Sequence, residues 1–379
     1  MSAWPDKHVI GLTGNIATGK SVVRKMTEHL GAYGVDADTL SHRTIMKGAP
    51  GYQAVVDTFG KWILSENGQI DREKLGNLVF SNPEAMASLE AIIHPLVRQA
   101  IDILVRRTKH QIVVIEAIKL LEGDLHTLCD AIWVTDADQD TQIARLVQRR
   151  EMDEGTARGR VLAQEPQATK LEAADVVIHN GESFEQTWDE VLAAWQESVP
   201  AKVEPTPVKH VEHAEEKELT VRRAGPAEAA EIAEFITKMS KGERRMTRTD
   251  VMASFGEKAF MLLNTGEEIS GVMGWQVENL VVRVDDVLID DAAPLGDAVK
   301  ALVEEVEAAS KELLVEAALL FLPPDLAQHN EVWQVLGFDA RAVKDLSVRA
   351  WQEAAMESMP PGTVLYFKQL RKDRVLRPI

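Results

Sequence analysis

The sequence predicts a parallel α/β domain with helices on both faces of the sheet, followed by a second domain of α+β type. Short, β-branched and almost continuously apolar runs alternate with segments of helical periodicity up to residue 197. A charged stretch with three prolines, 198–218, then predicts a linker. In the following part, 219–379, strand patterns succeed one another directly. Alternating strands and helices are typical of a doubly wound parallel sheet, whereas consecutive strands are typical of antiparallel sheets.

Composition limits the classes of protein to be considered. The 379 residues exceed one typical domain, and 45% hydrophobic with 27% charged residues is usual for globular chains. A net charge of −18 argues against broad binding to nucleic acid or to anionic membranes. The first residues carry no secretory signal, and no apolar run approaches the roughly 18 residues of a membrane span. The single cysteine, Cys129, excludes an intramolecular disulfide, so we expect a cytoplasmic protein. The sequence does not indicate the oligomeric state.

Periodicity places the elements of the first domain. Continuously apolar runs predict strands buried on both faces of the sheet, and a further short strand ends at Asp36. Helical spacing predicts a long helix that Pro95 should bend or restart, because proline removes a backbone donor. The predicted strands are 8–14, 111–117, 131–137 and 174–180, and the predicted helices are 21–30, 83–107 and 141–150.

The second domain is predicted as a compact antiparallel α+β unit. Three successive strands are predicted within 258–290, with a turn at Asn264-Thr265-Gly266. Gly337 should end a short helix. The remaining predictions are strands at 219–224, 313–323 and 363–370 and helices at 226–239, 295–312 and 329–338.

A phosphate-binding loop, Gly14-x-x-x-x-Gly19-Lys20-Ser21, follows the first strand. Its glycines let the backbone curl until several N–H groups face one point at a helix N-terminus. Lys20 can then reach the β- and γ-phosphates of a bound nucleotide, and the Ser21 hydroxyl can ligate Mg²⁺. Because the pattern lies between a strand and a helix, we predict a nucleotide site formed by Gly14, Asn15, Ile16, Ala17, Thr18, Gly19, Lys20 and Ser21.

Two carboxylates and a histidine downstream are further candidates. Asp36 and Asp38 follow a strand end that faces the ligand crevice, where a carboxylate can take the proton of an attacking hydroxyl. The alternative is a helix cap, since aspartate is a good N-cap. His94 is a packing or surface residue in one interpretation and a functional one in the other, and Arg98 beside it could hold a phosphate.

Arginines concentrate in the segment 145–166, where two helices should flank a turn at Gly155. Arginines that close over a nucleotide neutralise charge in the transition state and exclude water, which predicts a lid. The alternative is a solvated helix face, because acidic residues are interleaved. The arginines are Arg145, Arg149, Arg150, Arg158 and Arg160, and the acids are Glu151, Asp153 and Glu154.

Over residues 8–195 the chain resembles the dephospho-CoA kinase family. The shared segments are VIGLTGNIATGKS, VDADTLSH, LEAIIHPLVR, VLAQ and ADVVIHNG, in the family's order and spacing. The resemblance implies a P-loop NTPase fold of the nucleoside-monophosphate-kinase type and transfer of the ATP γ-phosphate to the ribose 3′-hydroxyl of dephospho-CoA. It implies that Asp38 is the base with Asp36 nearby, that Lys20 acts on the phosphates, and that His94 and Arg98 bind the acceptor. It places Arg145, Arg149 and Gln164 in the lid and Asn180 and Gly181 near the adenine.

One segment, IEAIKLLEG at 115–123, departs from the family pattern. Lys119 stands where the family has proline, and Glu116 and Glu122 are out of register with its usual acids. Neither glutamate is therefore assigned to Mg²⁺ from the sequence, and the acceptor pocket is open to question. Two alternatives remain: another P-loop kinase of a small molecule or nucleotide, or a nucleotide-binding regulatory protein.

Residues 219–379 resemble the Gcn5-related N-acetyltransferase (GNAT) superfamily in element order and in HNEVWQVLGF at 329–338. The family's glycine-rich pyrophosphate turn is replaced by a stretch with Asp290, Asp291 and Asp297, which would repel a pyrophosphate. Trp333 aligns with the family's tyrosine acid, and an indole cannot donate such a proton. We therefore expect a degenerate domain that serves packing or protein contacts. Its tryptophans, Trp275, Trp333 and Trp351, are expected in the core, and the alternative is that they line a pocket.

Overall fold

The computed structural model describes residues 3–150, 152–200, 219–266, 268–278 and 280–372. Most of the predicted linker, from residue 201 to 218, lies outside the described residues. So do Glu151 and the side chains of Arg149 and Arg150 in the predicted lid.

The N-terminal half contains the predicted parallel sheet. Its five strands run in the order β2-β3-β1-β4-β5, and every neighbouring pair is parallel. The strands lie within two residues of their predicted bounds: β1 His8–Thr13, β2 Tyr33–Asp36, β3 Ile112–Glu116, β4 Ala131–Asp136 and β5 Val176–His179. Because side chains alternate along a strand, Val113 and Ile115 face the core beneath one helical layer, and Ile112 and Val114 face the other. This is the predicted α/β architecture.

Nine helices of the N-terminal half surround this sheet in the described residues: α1 Lys20–His29, α2 Ala37–Thr44, α3 Tyr52–Phe59, α4 Arg72–Ser81, α5 Pro83–Arg107, α6 Gln139–Arg150, α7 Glu154–Leu162, α8 Gln167–Glu172 and α9 Phe184–Ser198. Helix α5 matches its predicted bounds and is continuous through Pro95, so of the two predicted outcomes the restart is wrong and the bend stays a prediction. The predicted turn at Gly155 is also wrong, because Asp153 caps α7 and Gly155 lies in its first turn. Among the described residues, no helix has the length and apolar character that a bilayer crossing requires.

The C-terminal half contains a seven-stranded sheet in the order β11-β12-β10-β9-β8-β7-β6. Its strands are β6 Leu219–Arg223, β7 Ala259–Thr265, β8 Glu268–Glu278, β9 Val281–Ile289, β10 Ala317–Leu322, β11 Asp339–Ala340 and β12 Val364–Gln369. The described helices are α10 Ala229–Met239, α11 Arg248–Ser254, α12 Leu295–Glu312, α13 Pro324–Ala327, α14 Asn330–Val335 and α15 Arg349–Ser358. The sheet is mixed, because β9 and β10 pair in parallel. Helix α12 connects them as a crossover, which a purely antiparallel prediction missed.

Two predicted chain reversals can be compared with the structure. Strand β7 runs through Thr265, which pairs with Glu268, so the hairpin turn comes later than predicted. Gly266 lies in this turn with a φ of 66°. Gly337 has a φ of 83° and follows α14, as predicted for a helix end.

The two halves share a hydrophobic core. Leu280 and Leu314 belong to the C-terminal half, yet both are buried among Tyr33 and Leu104 of the N-terminal half. Both leucines have a left-handed backbone, with φ of 62° and 59°. Since this conformation costs a residue with a side chain about 1–2 kcal/mol, the surrounding packing must stabilise it.

Polar contacts fix helix α1 to the C-terminal half. The Lys25 Nζ donates to the Val277 carbonyl at 3.0 Å. The His29 Nε2 lies 2.7 Å from the Phe255 carbonyl oxygen, so it must donate, and the Nδ1 accepts from the Arg223 guanidinium at 3.2 Å. Burial lowers the pKa of His29 to about 3, so the ring is neutral, as this pattern of hydrogen bonds requires. The helix that begins at the phosphate loop thus ends in an interdomain contact.

Candidate active site

The phosphate loop connects β1 to α1 at the carboxyl edge of the sheet. Three of its residues have positive φ: Gly14 at 146°, Ala17 at 59° and Gly19 at 96°. Alternation between ordinary and left-handed backbone turns successive N–H groups toward one point, which is the geometry that binds anions. Ala17 adopts this conformation without being a glycine, and such strain is concentrated at functional sites. The loop is therefore shaped as the motif predicts.

We expect Gly19→Ala to lower ATP affinity by at least about tenfold. A Cβ at this position would lie 1.6 Å from Asn180 Nδ2, and the φ of 96° adds strain. The measurement is calorimetric titration with ATP. Gly159→Ala is the matched control, because no atom lies within 4 Å of its added Cβ. Unchanged ATP affinity in Gly19→Ala would contradict this account of the loop.

Lys20 begins α1 and is folded over the loop. It is buried, and its ammonium donates to the carbonyls of Gly14 at 3.0 Å and Asn15 at 3.1 Å. The charge thereby lies at the concave side of the loop, where phosphates are expected. Two loop N–H groups donate to glutamine side chains: Ile16 donates to Gln164 of the lid segment at 2.8 Å, and Asn15 donates to Gln167, which begins α8, at 3.1 Å.

Arg145 and Asn180 meet at the same loop. The Arg145 guanidinium donates to the Ala17 carbonyl at 3.1 Å and to the Asn180 carbonyl at 2.6 Å. The Asn180 amide donates to the Thr18 carbonyl at 3.0 Å. Arg145 thus contacts the loop, whereas Arg158 is exposed and pairs with Glu154, as the solvated-face alternative describes. Gly181, which follows Asn180, is exposed.

The two aspartates have different surroundings. Asp36 is the N-cap of α2, since its carboxylate accepts from the Thr39 backbone N–H and hydroxyl, both at 2.8 Å. The cap interpretation therefore applies to Asp36. Asp38 is half-buried and accepts one hydrogen bond, from the Ile118 N–H at 3.1 Å. Burial raises the pKa of Asp38 to about 6 despite that hydrogen bond, and the Asp36 charge adds to the rise.

Glu116, which sequence reasoning left unassigned, lies at the centre of the site. It is buried at the end of β3 and accepts from the Ser21 hydroxyl and from the Arg24 Nε, both at 2.7 Å. Burial alone would lower the pKa of Arg24, but Glu28 and Glu116 outweigh it and raise that pKa. The strand register explains this position: Glu116 ends the strand adjacent to β1 and pairs with Leu12, just before the loop. Glu122 instead lies 3.6 Å from Lys170.

The predicted acceptor residues lie on an exposed face of α5. Arg98 pairs with Asp124, and Glu90, two turns earlier, pairs with Lys119 at 2.6 Å. His94 lies between them at helical spacing and is exposed. The partners of this face, Lys119 and Asp124, belong to the segment 118–124, whose first residue, Ile118, donates its N–H to the Asp38 carboxylate. The departure from the family pattern at Lys119 thus occurs where α5 meets the segment.

The C-terminal residues that argued against acetyl transfer occupy structural positions. Trp333 is 1% exposed, and its indole N–H donates to the Leu326 carbonyl at 3.0 Å. Asp290 pairs with Lys238 at 3.2 Å and accepts from the Ala292 N–H. Trp275 and Trp351 are each 2% exposed, which confirms the prediction that these tryptophans lie in the core.

The two halves of the chain are similar to different known proteins. The family model for dephospho-CoA kinase (CoaE) matches residues 8–186. The dephospho-CoA kinase of Geobacter metallireducens is 41% identical over 194 residues, covering 50% of this chain and 96% of that protein. The enzyme of Carboxydothermus hydrogenoformans is 41% identical over 191 residues, covering 50% and 93%. A GNAT-family acetyltransferase structure from Staphylococcus aureus Mu50 covers 40% of this chain and 99% of its own, at 17% identity and a TM-score of 0.33.

The matches to dephospho-CoA kinases begin at β1 and extend past β5, so they include the phosphate loop, both aspartates and the lid segment. They give no support to the alternatives of another small-molecule kinase or a regulatory protein. Over the half of the chain that is matched, about two-fifths of the residues are identical to relatives that are covered almost entirely; with the loop geometry described above, this chain belongs to the dephospho-CoA kinase family.

Proposed function

We propose that the N-terminal half transfers the γ-phosphate of ATP to the ribose 3′-hydroxyl of dephospho-CoA, giving ADP and CoA. The observation that carries this proposal is the Asp38 carboxyl, which accepts from the Ile118 N–H at 3.1 Å and whose pKa is raised to about 6 mainly by burial. Lys20 and Glu116 are among the charges that act on it, so the carboxyl lies within electrostatic reach of the loop. A base of this strength is ionised at neutral pH and accepts a proton more readily than an ordinary aspartate.

Chemically, the reaction needs positioning more than covalent participation. The 3′-oxygen forms a bond to the γ-phosphorus, the bond from that phosphorus to the β,γ-bridging oxygen breaks in line, and ADP leaves. Asp38 receives the proton of the 3′-hydroxyl. Lys20 and the loop N–H groups stabilise charge on the phosphates, and Arg145 closes the loop from the lid side. The exposed α5 face with His94 and Arg98 is proposed to contact the acceptor.

Ser21 and Glu116 fit a magnesium site beside the loop. Their oxygens are 2.7 Å apart, and Mg²⁺ prefers hydroxyl, carboxylate, phosphate and water oxygens. Among the described residues, no group of three or more His, Cys, Asp or Glu side chains is placed to hold a metal, so phosphates and waters would supply the remaining ligands. When bound, the ion neutralises charge on the transferring phosphoryl group.

Dephospho-CoA turnover by the full chain tests the proposal. A coupled assay of ADP release should give activity with ATP and dephospho-CoA. Nucleoside monophosphates, tested in parallel, should give none above the rate of ATP hydrolysis alone. No turnover of dephospho-CoA above background would refute the proposed function, and turnover of a monophosphate instead would replace the acceptor.

We divide the chain into a kinase part, 1–197, a linker, 198–218, and a second domain, 219–379. The two separate sheets and the composition of the linker support this division.

A cytoplasmic location is proposed from the kinase family and from Cys129. Burial raises the pKa of this thiol to about 12, so it stays protonated and unreactive at neutral pH.

We expect the second domain to bind no acetyl-CoA. Asp290, Asp291 and Asp297 surround the start of α12, where a pyrophosphate would require N–H donors rather than negative charge. Calorimetry on the full chain, with saturating dephospho-CoA to occupy the kinase site, should give no heat of acetyl-CoA binding. A remaining stoichiometric site under these conditions would contradict the degenerate interpretation, and titration without dephospho-CoA is the control.

A further inference from the structure

Lys170, on helix α8, is a buried lysine that the family resemblance assigns to no role. It is 3% exposed, although lysines are rarely buried without a partner. Its Nζ donates to the Ile118 carbonyl at 2.7 Å and lies 3.6 Å from the Glu122 carboxylate. The ammonium is therefore directed at the segment that follows β3.

Ile118 is held on both sides. Its N–H donates to the Asp38 carboxylate at 3.1 Å, and its carbonyl accepts from Lys170 and from the Thr13 hydroxyl, the latter at 3.1 Å. Thr13 ends β1 immediately before the phosphate loop. The residue that supplies the hydrogen bond to Asp38 is thus fixed between the loop strand and helix α8.

Helix α8 also contacts the phosphate loop. Gln167 lies three residues before Lys170, on the same face of the helix. Its carbonyl oxygen accepts from the Asn15 N–H at 3.1 Å, and its amide donates to the Thr135 carbonyl at 2.8 Å. One short helix therefore holds the phosphate loop with one side chain and the segment that binds Asp38 with the next.

We infer that Lys170 is a positioning residue of the kinase reaction, which holds Ile118 so that its N–H stays on the Asp38 carboxylate. The inference rests on the proposed function, in which Asp38 is the base. Lys170 acts through the backbone, since its ammonium contacts the Ile118 carbonyl and the Glu122 carboxylate, while the Ile118 N–H donates to Asp38. An ammonium suits this task because it donates several hydrogen bonds from a compact charge.

The test is Lys170→Met in the full chain, assayed for dephospho-CoA phosphorylation from pH 5 to 9. The Ile118 hydrogen bond lowers the pKa of Asp38, so loosening it should raise that pKa. We expect the acid limb of the kcat profile to move up by about 0.5–1 pH unit, which by itself lowers kcat at pH 7 by at most about twofold. Displacement of the Asp38 carboxylate from the acceptor hydroxyl should lower kcat further, to about a tenth of the wild-type value. The KM for ATP should stay within about twofold, because the loop contacts remain.

Lys7→Met is the matched control. Like that of Lys170, the Lys7 ammonium donates to backbone carbonyls, those of Thr108 at 2.8 Å and His110 at 2.7 Å, but at the opposite edge of the sheet. It should lose some thermal stability and keep the wild-type pH profile. Thr13→Val, which removes the other donor to Ile118, should move the acid limb in the same direction by a smaller amount.

An unchanged pH profile and kcat in Lys170→Met, with wild-type turnover intact, would overturn this inference alone. A wild-type chain without dephospho-CoA turnover would overturn the proposed function and this inference with it. If Lys170→Met does not fold, Thr13→Val decides: a shifted acid limb supports the inference, and an unshifted one refutes it. A shift of the same size in Lys7→Met would also refute it, because the effect would then be general destabilisation.

Discussion

Asp38→Asn is expected to lower kcat for dephospho-CoA phosphorylation by about 10²–10⁴-fold, the usual contribution of a positioned base. The amide keeps the shape of the side chain and can still accept from the Ile118 N–H, but it cannot receive the 3′-hydroxyl proton. ATP affinity should stay within about twofold, because Asp38 makes no described hydrogen bond to the phosphate loop. Single-turnover kinetics and ATP calorimetry measure the two effects separately.

The same variant should be more stable than the wild type at neutral pH. A carboxyl whose folded pKa lies above its unfolded value contributes stability below pH 4 that is lost as the pH rises through about 6. The rise from 3.8 to about 6 corresponds to at most about 3 kcal/mol, which an amide does not lose. The melting temperature of Asp38→Asn should therefore exceed that of the wild type at pH 8, and the difference should vanish near pH 4. Lower turnover with higher stability is the signature of a residue kept for function.

Asp36→Asn is the control for the neighbouring acid. Asparagine is as good an N-cap as aspartate, so the hydrogen bonds to Thr39 can be kept and the loss of activity should be much smaller.

The wild-type rate should also fall with decreasing pH through about 6, as Asp38 becomes protonated. Turnover by Asp38→Asn at the wild-type rate, or a rate independent of pH between 5 and 8, would contradict the assignment of the base.

Local sequence patterns predicted most of the helices and strands, because the apolar content and periodicity of each segment determine these elements. The apolar run of β3 is buried throughout, and the bounds of α5 and α12 match their periodic patterns. The failures have a common cause in tertiary context. Helix α5 continues through Pro95, with Leu89 and Val97 buried on either side of it, and a crossover helix makes β9 and β10 parallel. Neither outcome is encoded within a short window of sequence.

The site divides in the same way. A motif confined to eight residues predicted the phosphate loop, and spacing predicted Asp38 without distinguishing a base from a cap. Glu116 and Lys170 were not predicted, because their roles depend on partners 95 and 52 residues away, Ser21 and Ile118. The role of a buried charged residue can be recognised only from such partners, which a single sequence does not reveal.

Removal of residues 199–379 should destabilise the kinase half severely. Leu280 and Leu314 complete its core beside Tyr33 and Leu104, and burial of two leucines stabilises by about 3–6 kcal/mol. A domain of this size is stable by only about 5–15 kcal/mol, so the truncated chain should melt far below the full chain or aggregate. Because the core is shared, the full chain should unfold in one calorimetric transition rather than two.

A point variant tests whether the shared core, rather than the mere presence of a second domain, stabilises the kinase half. Leu280→Ala, in the full chain, should cost about 2–5 kcal/mol, as expected for a buried leucine. Leu162→Ala is the matched control, since Leu162 is 63% exposed and should change stability by less than about 0.5 kcal/mol. Equal melting temperatures for these variants, or a truncated chain as stable as the full one, would show that the halves fold independently. The expected result would instead make the C-terminal domain a structural part of the kinase, which gives the fusion a function that requires no second catalytic activity.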